Sequence, residues 1–461
     1  MANGSAPLDE FQRSALDECA PPCRVSVLGA PGTGKTRLLE ALVAREAAAP
    51  GGRIAVITFD RRAAGALYDS MSLRLGSLSE RVGVHTLTAF AYSIVQAYAQ
   101  AVGRRDPELI SGPEEDALLA EILGDADAPI EFPEFVTDDL RATKGFRSQI
   151  RDLITRASEL GCSSGRLERL GRRLGEPMWV AGAHVLDLYE SVTAAQDAFA
   201  GSSQSPDRLA HARLVGAATA MLRNWDGNVS REPQARRFPR PRWDWVLVDD
   251  VHNAPGSIVA LLAELACDGA SIVVTGDPDA SVQGFRGALA SLPGDVTRLL
   301  GCRPVPLRRR HRAGRRIAGL ADRIAGAIRV GGGAIAQREP APATGEDLLE
   351  GRRFVNGEEE NAWIAHTLRE AHLLGGTSYA DMAVMTRSRS AHAGIRASLV
   401  RRGIPVGQIG TDRPLREEPA VAALLDLVRL ALPDRDGAPD VRDVLAGPMV
   451  ARLIGQTDRS L

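Results

Sequence analysis

An α/β protein built on a parallel sheet is the fold class this sequence predicts, and three observations predict it. Short apolar runs of strand length alternate with helical patterns near the N-terminus. A glycine-rich loop joins the first of those runs to the helix that follows. The alternation then gives way to a long helical stretch and resumes near Trp245, with an apolar run that ends in two carboxylates. Strands that alternate with helices form parallel sheets, and their loops gather at the C-terminal edge of the strands.

The chain has 461 residues, room for roughly two to four domains. It is 44% hydrophobic and 25% charged, a balance that supports cores of ordinary size. The abundance of alanine, arginine and glycine reads as the mark of a GC-rich genome and carries no functional argument. The formal net charge of −2 excludes a globally basic protein, so any nucleic-acid surface must be local. Five cysteines, Cys19, Cys23, Cys162, Cys267 and Cys302, are scattered, and only the first two are close. That spacing completes no zinc or iron–sulfur pattern, and free, reduced thiols in a cytoplasmic protein are expected. No basic segment followed by an apolar core marks a signal peptide, and no apolar run is long enough to span a membrane.

In chain order, Val25-Ser26-Val27-Leu28 is the first strand-like run, followed by Gly29-Ala30-Pro31-Gly32-Thr33-Gly34-Lys35-Thr36 and a helix from Arg37. Strand, glycine loop and helix in that order are the context of a phosphate-binding P-loop. The glycines let backbone N–H groups face phosphate, and the helix adds its N-terminal partial positive charge. Lys35 would reach the β- and γ-phosphates and Thr36 would ligate Mg²⁺. Lys35 and Lys144 are the only lysines; all other basic residues are arginine. Keeping lysine at the phosphate position fits its chemistry as a compact point charge, which arginine's planar fork does not replace. Upstream, the amide of Gln12 has the donor and acceptor needed to read an adenine edge.

Arg53 to Phe59 and Val82 to His85 are the next strands. They carry Thr58, Phe59, Arg61, Thr86 and Thr88 to the C-terminal edge of the sheet, beside the P-loop. From about Tyr92 to Arg236 helical periodicity dominates and no strand signal competes. Trp245-Val246-Leu247-Val248-Asp249-Asp250 restores the sheet. An apolar strand ending in two acids is the Walker B arrangement: Asp249 supports Mg²⁺ and the next acid, Asp250, orients water. Ser271 to Asp277 is a further strand, leading to Phe285-Arg286-Gly287-Ala288. The arginine run from Leu307 to Ile317 suits phosphate, and its position makes an arginine finger possible. A second α/β pattern follows: strand 353–355, helix 358–371, strand 381–386 and helix 391–402, with a last helical stretch from Glu417 to Leu432.

Taken together these segments resemble the superfamily-one DNA helicases of the UvrD, Rep and PcrA type. Gln12 fits that family's Q motif and Gly29 to Thr36 its motif I. Thr58 to Ala64 is similar to motif Ia, and Thr86 to Phe90 to the segment after it. Asp249-Asp250-Val251-His252-Asn253 stands at motif II, Gly276 to Ala288 at motif III, and Leu307 to Ile317 at motif IV. The segment from Lys144 to Gly161 resembles the actinobacterial subunits AdnA and AdnB, paired motors of an end-resecting helicase–nuclease; the altered hydrolytic residues described below fit the less active partner and point to AdnA.

The resemblance implies RecA-like lobes: a first lobe over 1–91 and 237–300, an inserted helical domain over 92–236, an incomplete second lobe over 301–436, and the start of a second insert over 437–461. It implies ATP and Mg²⁺, with ATP bound by Gln12, Gly29, Ala30, Pro31, Gly32, Thr33, Gly34, Lys35, Thr36 and Arg37. Catalytic roles fall to Lys35, Asp250 and Arg312, and metal binding to Thr36 and Asp249. DNA contacts fall to Thr58, Phe59, Arg61, Thr86, Thr88, Phe285 and Arg286, the aromatics stacking on bases. The implied partners are single-stranded or duplex-end DNA and a second helicase–nuclease subunit. Motifs V and VI and a C-terminal nuclease would lie beyond Leu461, so the chain is expected to be an N-terminal fragment or a truncated product.

Departures from the family pattern concern hydrolysis. The catalytic Glu is Asp250, one methylene shorter, and a misplacement of about 1 Å can cost ~10²-fold in rate. The motif II Gln and Asp are His252 and Asn253, the motif III Gln is Ala280 and its Tyr is Gln283, and the motif IV Asn-Tyr are Arg310-His311. Two readings follow: a DNA-stimulated ATPase motor, and a nucleotide-binding structural subunit that supports a stronger partner. A P-loop kinase or GTPase leaves the second α/β pattern unexplained.

Overall fold

The computed structural model describes residues 7–407 apart from 50, 76–80, 126–127, 200–207, 230–236, 285–286, 330–337, 339–344 and 389. The chain divides into two units, Met1–Leu349 and Glu350–Leu461. The strands of the first are β1 (Arg24–Gly29), β2 (Ile54–Thr58), β3 (Val82–Thr86), β4 (Glu108–Leu109), β5 (Arg208–Leu209), β6 (Trp245–Val248), β7 (Ser271–Gly276) and β8 (Arg303–Leu307). Its helices run from α1 (Glu10–Glu18), α2 (Lys35–Ala48), α3 (Arg61–Leu75) and α4 (Leu87–Ala101) into α5 (Gly112–Gly124), α6 (Asp138–Ala142), α7 (Lys144–Glu159), α8 (Ser164–Leu174) and α9 (Pro177–Phe199). They end with α10 (Leu214–Arg223), α11 (Trp225–Val229), α12 (Ile258–Cys267), α13 (Leu292–Leu300) and α14 (Arg315–Ala327).

Six strands form one parallel sheet in the order β3-β2-β6-β7-β1-β8. Both of its faces are covered, which is why its strands read as continuous apolar runs. Successive residues serve opposite cores. Ala55, Ile57, Val246, Val248, Ile272 and Val274 pack with α4, α10, α12 and α13. Ile54, Val56, Trp245, Leu247, Val273, Val25 and Val27 pack with α1, α2 and α3.

Strand β8 is not among the strands the sequence predicts. Its sequence, Arg303-Pro304-Val305-Pro306-Leu307, carries two prolines, which argue against a strand. Here they are tolerated because, among the described residues, β8 pairs with β1 alone, at the end of the sheet. Two residues apart, the prolines lose their donors on one side of the strand, and an edge strand has one side that needs none.

The helices of 92–236 serve two cores. Helices α4 and α10 bury Phe90, Ala91, Ile94, Leu214, Ala218 and Leu222 in the core of the sheet. Helical periodicity shows that a helix has an apolar face but not which core that face meets. The short pair β4–β5, absent from the sequence reading, joins the chain where it leaves and where it returns. Between them α5, α7, α8 and α9 share a separate core around Leu119, Phe146, Ile150, Leu167, Leu186 and Tyr189. On α7 the buried residues are Phe146, Ile150, Ile154 and Ala157, one stripe of a helix.

In the second unit the described residues form α15 (Gly357–Leu373) and α16 (Ser390–Arg401), packed through Ala365, Leu368, Ile395 and Leu399. Both helices were expected. The strands expected at 353–355 and 381–386 are not formed among the described residues; Val355 and Met385 are exposed there. The helix expected from Glu417 to Leu432 lies outside the described residues.

Phe90 is fully buried, and its ring lies 4.8 Å from that of Trp243. Phe90→Ala is expected to cost about 3–5 kcal/mol in a denaturant titration of the sheet core. A loss below about 1 kcal/mol would show that α4 does not belong to that core.

Candidate nucleotide site

The P-loop runs from the end of β1 into α2. Gly32 and Gly34 both have left-handed backbone, with φ of 82°, which favours glycine. Gly34 meets a second constraint, because a Cβ there would lie 2.1 Å from Gln12 Nε2. As N-cap of α2 it offers no side-chain hydrogen bond. The first N–H groups of that helix therefore keep their donors for an anion, in the place where the helix dipole favours one. By contrast α1, α4, α5 and α7 are each capped by an Asp, Ser or Thr side chain.

Lys35 is buried and its Nζ donates to Gly29 O at 2.8 Å and Ala30 O at 3.4 Å. The ammonium is thus aimed back into the loop that would hold phosphate. Thr36 Oγ1 donates to Asp249 Oδ2 at 2.9 Å. From the strand between, Thr275 Oγ1 donates to Asp249 Oδ1 at 2.7 Å and accepts from the Asp250 N–H at 3.1 Å. Three sheet positions thereby converge on one carboxylate: the loop after β1, the end of β6 and the end of β7. Thr275 has no family motif to mark it. The signal was a lone polar residue in the buried run Ile272-Val273-Val274-Thr275, since a buried hydroxyl needs a partner.

Burial raises the Asp249 carboxyl, the charge of Asp250 adds to the rise, and the two threonine hydroxyls oppose it. Burial likewise raises Asp250 and Asp277, and Lys35 pulls both back. A hydroxyl and a carboxylate are hard oxygen donors, and their convergence beside a P-loop fits Mg²⁺, which takes its other ligands from phosphate and water. A divalent cation there would reverse the cost of burying Asp249. Asp250 is the only non-glycine residue with positive φ among those described, at φ 54°. Its shorter side chain is thus carried on a backbone unlike that of a simple strand end.

His252, where the family has glutamine, is 4% exposed and accepts from the Asp277 N–H through Nδ1 at 3.1 Å. Burial, together with the nearby charge of Lys35, pushes it down to about 4. It is a neutral ring that ties the β6 loop to the β7 loop. Ala280 ends a short 3-10 turn, Pro278–Ala280, whose Asp279 is held by Arg338, with Nε donating to Oδ2 at 2.8 Å.

Gln12 is 1% exposed; Nε2 donates to Thr33 O at 3.1 Å and Oε1 accepts from the Asp9 N–H at 3.1 Å. In this arrangement it braces the P-loop backbone. Asp9 returns the bond to the Gln12 N–H at 2.8 Å, a capping box legible in Asp9-Glu10-Phe11-Gln12 but missed. Asp9 also meets His311 Nε2 at 2.8 Å, and the His311 N–H donates to Gly32 O at 2.9 Å. These contacts seat the loop after β8 on the P-loop. Arg312 follows directly, exposed, its Cβ 3.4 Å from where a Cβ on Gly32 would be. Arg310, at the family's Asn, points away and pairs with Asp322 on α14.

The residues expected to meet DNA fall at the C-terminal ends of β2 and β3, where Thr58 is the register partner of Thr86. Thr88 and Arg61 are exposed there. Thr58 is buried, Thr86 Oγ1 is used to cap α4 by accepting from the Ala89 N–H, and Phe59 is half-buried against the core. Phe285 and Arg286 lie outside the described residues.

An uncapped P-loop helix, a buried Thr–Asp pair and a parallel sheet define a P-loop nucleotide-binding protein. The chain belongs to the UvrD/REP helicase family, whose N-terminal domain matches residues 8–293. Relatives include the ATP-dependent DNA helicase UvrD1 of Mycobacterium tuberculosis, 24% identical over 430 residues, covering 89% of this chain and 51% of the relative. The ATP-dependent DNA helicase srs2 of Schizosaccharomyces pombe is 23% identical, covering 98% of this chain and 49% of the relative. The chain spans about half the length of these curated relatives. No helix among the described residues is long and apolar enough to cross a membrane.

His252 supplies a test of the site's electrostatics. Folded, it takes a proton only near pH 4; unfolded, it does so near 6.5. Between those values unfolding takes up a proton, so this residue's contribution falls as the solution is acidified. His252→Gln is expected to remove about 3 kcal/mol of acid destabilisation between pH 7 and 4, read from unfolding free energies of both proteins. Parallel pH curves would contradict a neutral, buried ring.

Proposed function

We propose that this chain binds Mg-ATP and forms the ATP-hydrolysing first part of a DNA helicase or translocase. The single observation that carries the reading is the bridge from Thr36 to Asp249 to Thr275 beside an uncapped α2. Lys35 would exchange its bonds to Gly29 and Ala30 for phosphate oxygens, and Arg312 would stabilise charge on the group transferred. Mg²⁺, held by Thr36 and Asp249, would neutralise phosphate charge when bound. Asp250 would orient the attacking water. Its burial raises its proton affinity, a change in the useful direction for a base. Thr88 and Arg61 head the surface we assign to single-stranded DNA, with Phe285 and Arg286.

The finer reading is an AdnA-like subunit that works with a second helicase–nuclease subunit in resecting DNA ends for repair. Its support is the segment from Lys144 to Gly161 together with the altered hydrolytic residues. A weakened motor is the second reading, favoured by Asp250 and Ala280: one acid is shortened and one sensing side chain is missing.

The decisive experiment is ATP turnover with and without single-stranded DNA. Lys35→Ala is expected to lower turnover by ~10²-fold or more. Equal rates for both proteins would contradict an ATPase. Asp250→Glu combined with Ala280→Gln is expected to raise turnover if the motor is weakened at those two positions; an unchanged rate would reject that reading.

A further inference from the structure

The loop that carries Arg312 is fastened at both ends. On the P-loop side the His311 N–H donates to Gly32 O, His311 meets Asp9, and Arg309 pairs with Glu10 at 3.0 Å. On the other side lies the N-terminus of α14, whose N-cap, Gly314, has no side chain with which to cap it. The cap comes instead from Asp347, well beyond the C-terminal end of that helix. Its Oδ1 accepts from the Arg316 N–H at 2.9 Å and its Oδ2 from the Ile317 N–H at 3.0 Å. Beside it the Arg315 N–H donates to Gly345 O at 2.9 Å.

Gly314 is not there for its backbone. Its φ of −75° and ψ of −179° are extended geometry that any residue adopts. What it provides is space: a Cβ at that position would stand 2.5 Å from Asp347 Cγ and 2.7 Å from Oδ2. A Ser, Thr or Asp at 314 would cap the helix locally, as Thr86, Ser111 and Thr143 do for α4, α5 and α7. Here the self-sufficient cap is given up, two residues after Arg312, for one supplied by a segment that ends at Leu349, the last residue of the first unit.

We propose that Asp347 is a positioning residue for Arg312, clamping the arginine loop against the P-loop from the segment that leads out of the first unit. The proposal rests on the ATPase reading for Arg312's role, but the clamp has a readout of its own. Without Asp347 the first turn of α14 loses its side-chain cap, and the loop, though still held to Gly32, Asp9 and Glu10 and through Arg310 to Asp322, loses the fastening next to Arg312. The arginine then spends less time where the transferred charge develops, while the residues that grip the nucleotide are untouched.

The test is a set of variants in the protein. Asp347→Ala is expected to lower kcat by ~10-fold with KM for ATP changed less than about twofold, the mark of a group acting in the transition state. Adding it to Arg312→Ala is expected to cause no further loss, because both act through one guanidinium. Gly314→Ala is expected to reproduce the Asp347→Ala loss, and to cost nothing more when Asp347 is already alanine. A kcat for Asp347→Ala within about twofold of wild type, or losses that multiply with Arg312→Ala, would overturn the proposal. If wild-type turnover equals that of Lys35→Ala, it is the ATPase reading that fails. The clamp is then read from hydrogen exchange of the peptide spanning His311 to Ile317. Exchange ~10-fold faster in Asp347→Ala, at His311 as well as at Arg316 and Ile317, supports it. Exchange unchanged at His311 rejects it, because Asp347 would then be no more than a helix cap.

Discussion

One buried carboxylate organises this molecule. Asp249 sits at the end of a central strand, 6% exposed, its two oxygens taken by the hydroxyls of Thr36 and Thr275. Burying a carboxylate is costly, and neutral hydroxyls offset only part of that cost, so its proton affinity rises. The rise states in electrostatic terms what the position suits, a cation. The three residues come from the start of α2 after β1, the end of β7 and the position after β6, and they meet because β1, β7 and β6 are neighbours in that order. The sheet order and the site geometry are one fact.

Around that carboxylate the loops are tied together by hydrogen bonds. His252 stays neutral and accepts from the backbone of Asp277; Gln12 braces Thr33 from α1; His311 holds Gly32 by its backbone and Asp9 by its ring. Three of the positions at which this chain departs from its family, His252, Arg310 and His311, therefore carry definite bonds. Ala280 is different. It removes a side chain, and no contact replaces it among the described residues. Of these four, three rebuild a contact and Ala280 deletes one; with the shortened acid at Asp250 it carries the argument for weakened hydrolysis.

Much of this was legible in the sequence. The P-loop, the acids after β6 and the alternation of strands and helices depend on short-range patterns, and short-range patterns are what a sequence displays. The strands of the sheet are apolar throughout because both faces are buried, which made β1, β2, β6 and β7 plain. What was missed depends on long-range partners. Strand β8 reads as irregular because of Pro304 and Pro306, and only its place at the edge admits them. Helices α4 and α10 look like part of the insert until the core they face is known. Thr275 and Asp347 act through partners 26 and 30 residues away, and neither carries a motif.

The central claim is that Asp249 serves a nucleotide-bound divalent cation and not merely the packing of three loops. The most direct measurement is an equilibrium titration of a fluorescent ATP analogue, with and without Mg²⁺, against the wild-type protein and Asp249→Asn. The isosteric amide keeps the shape of the site and removes the charge. Mg²⁺ is expected to tighten binding to the wild type by ~10-fold or more and to leave binding to Asp249→Asn nearly unchanged. The same Mg²⁺ enhancement in both proteins would contradict the account.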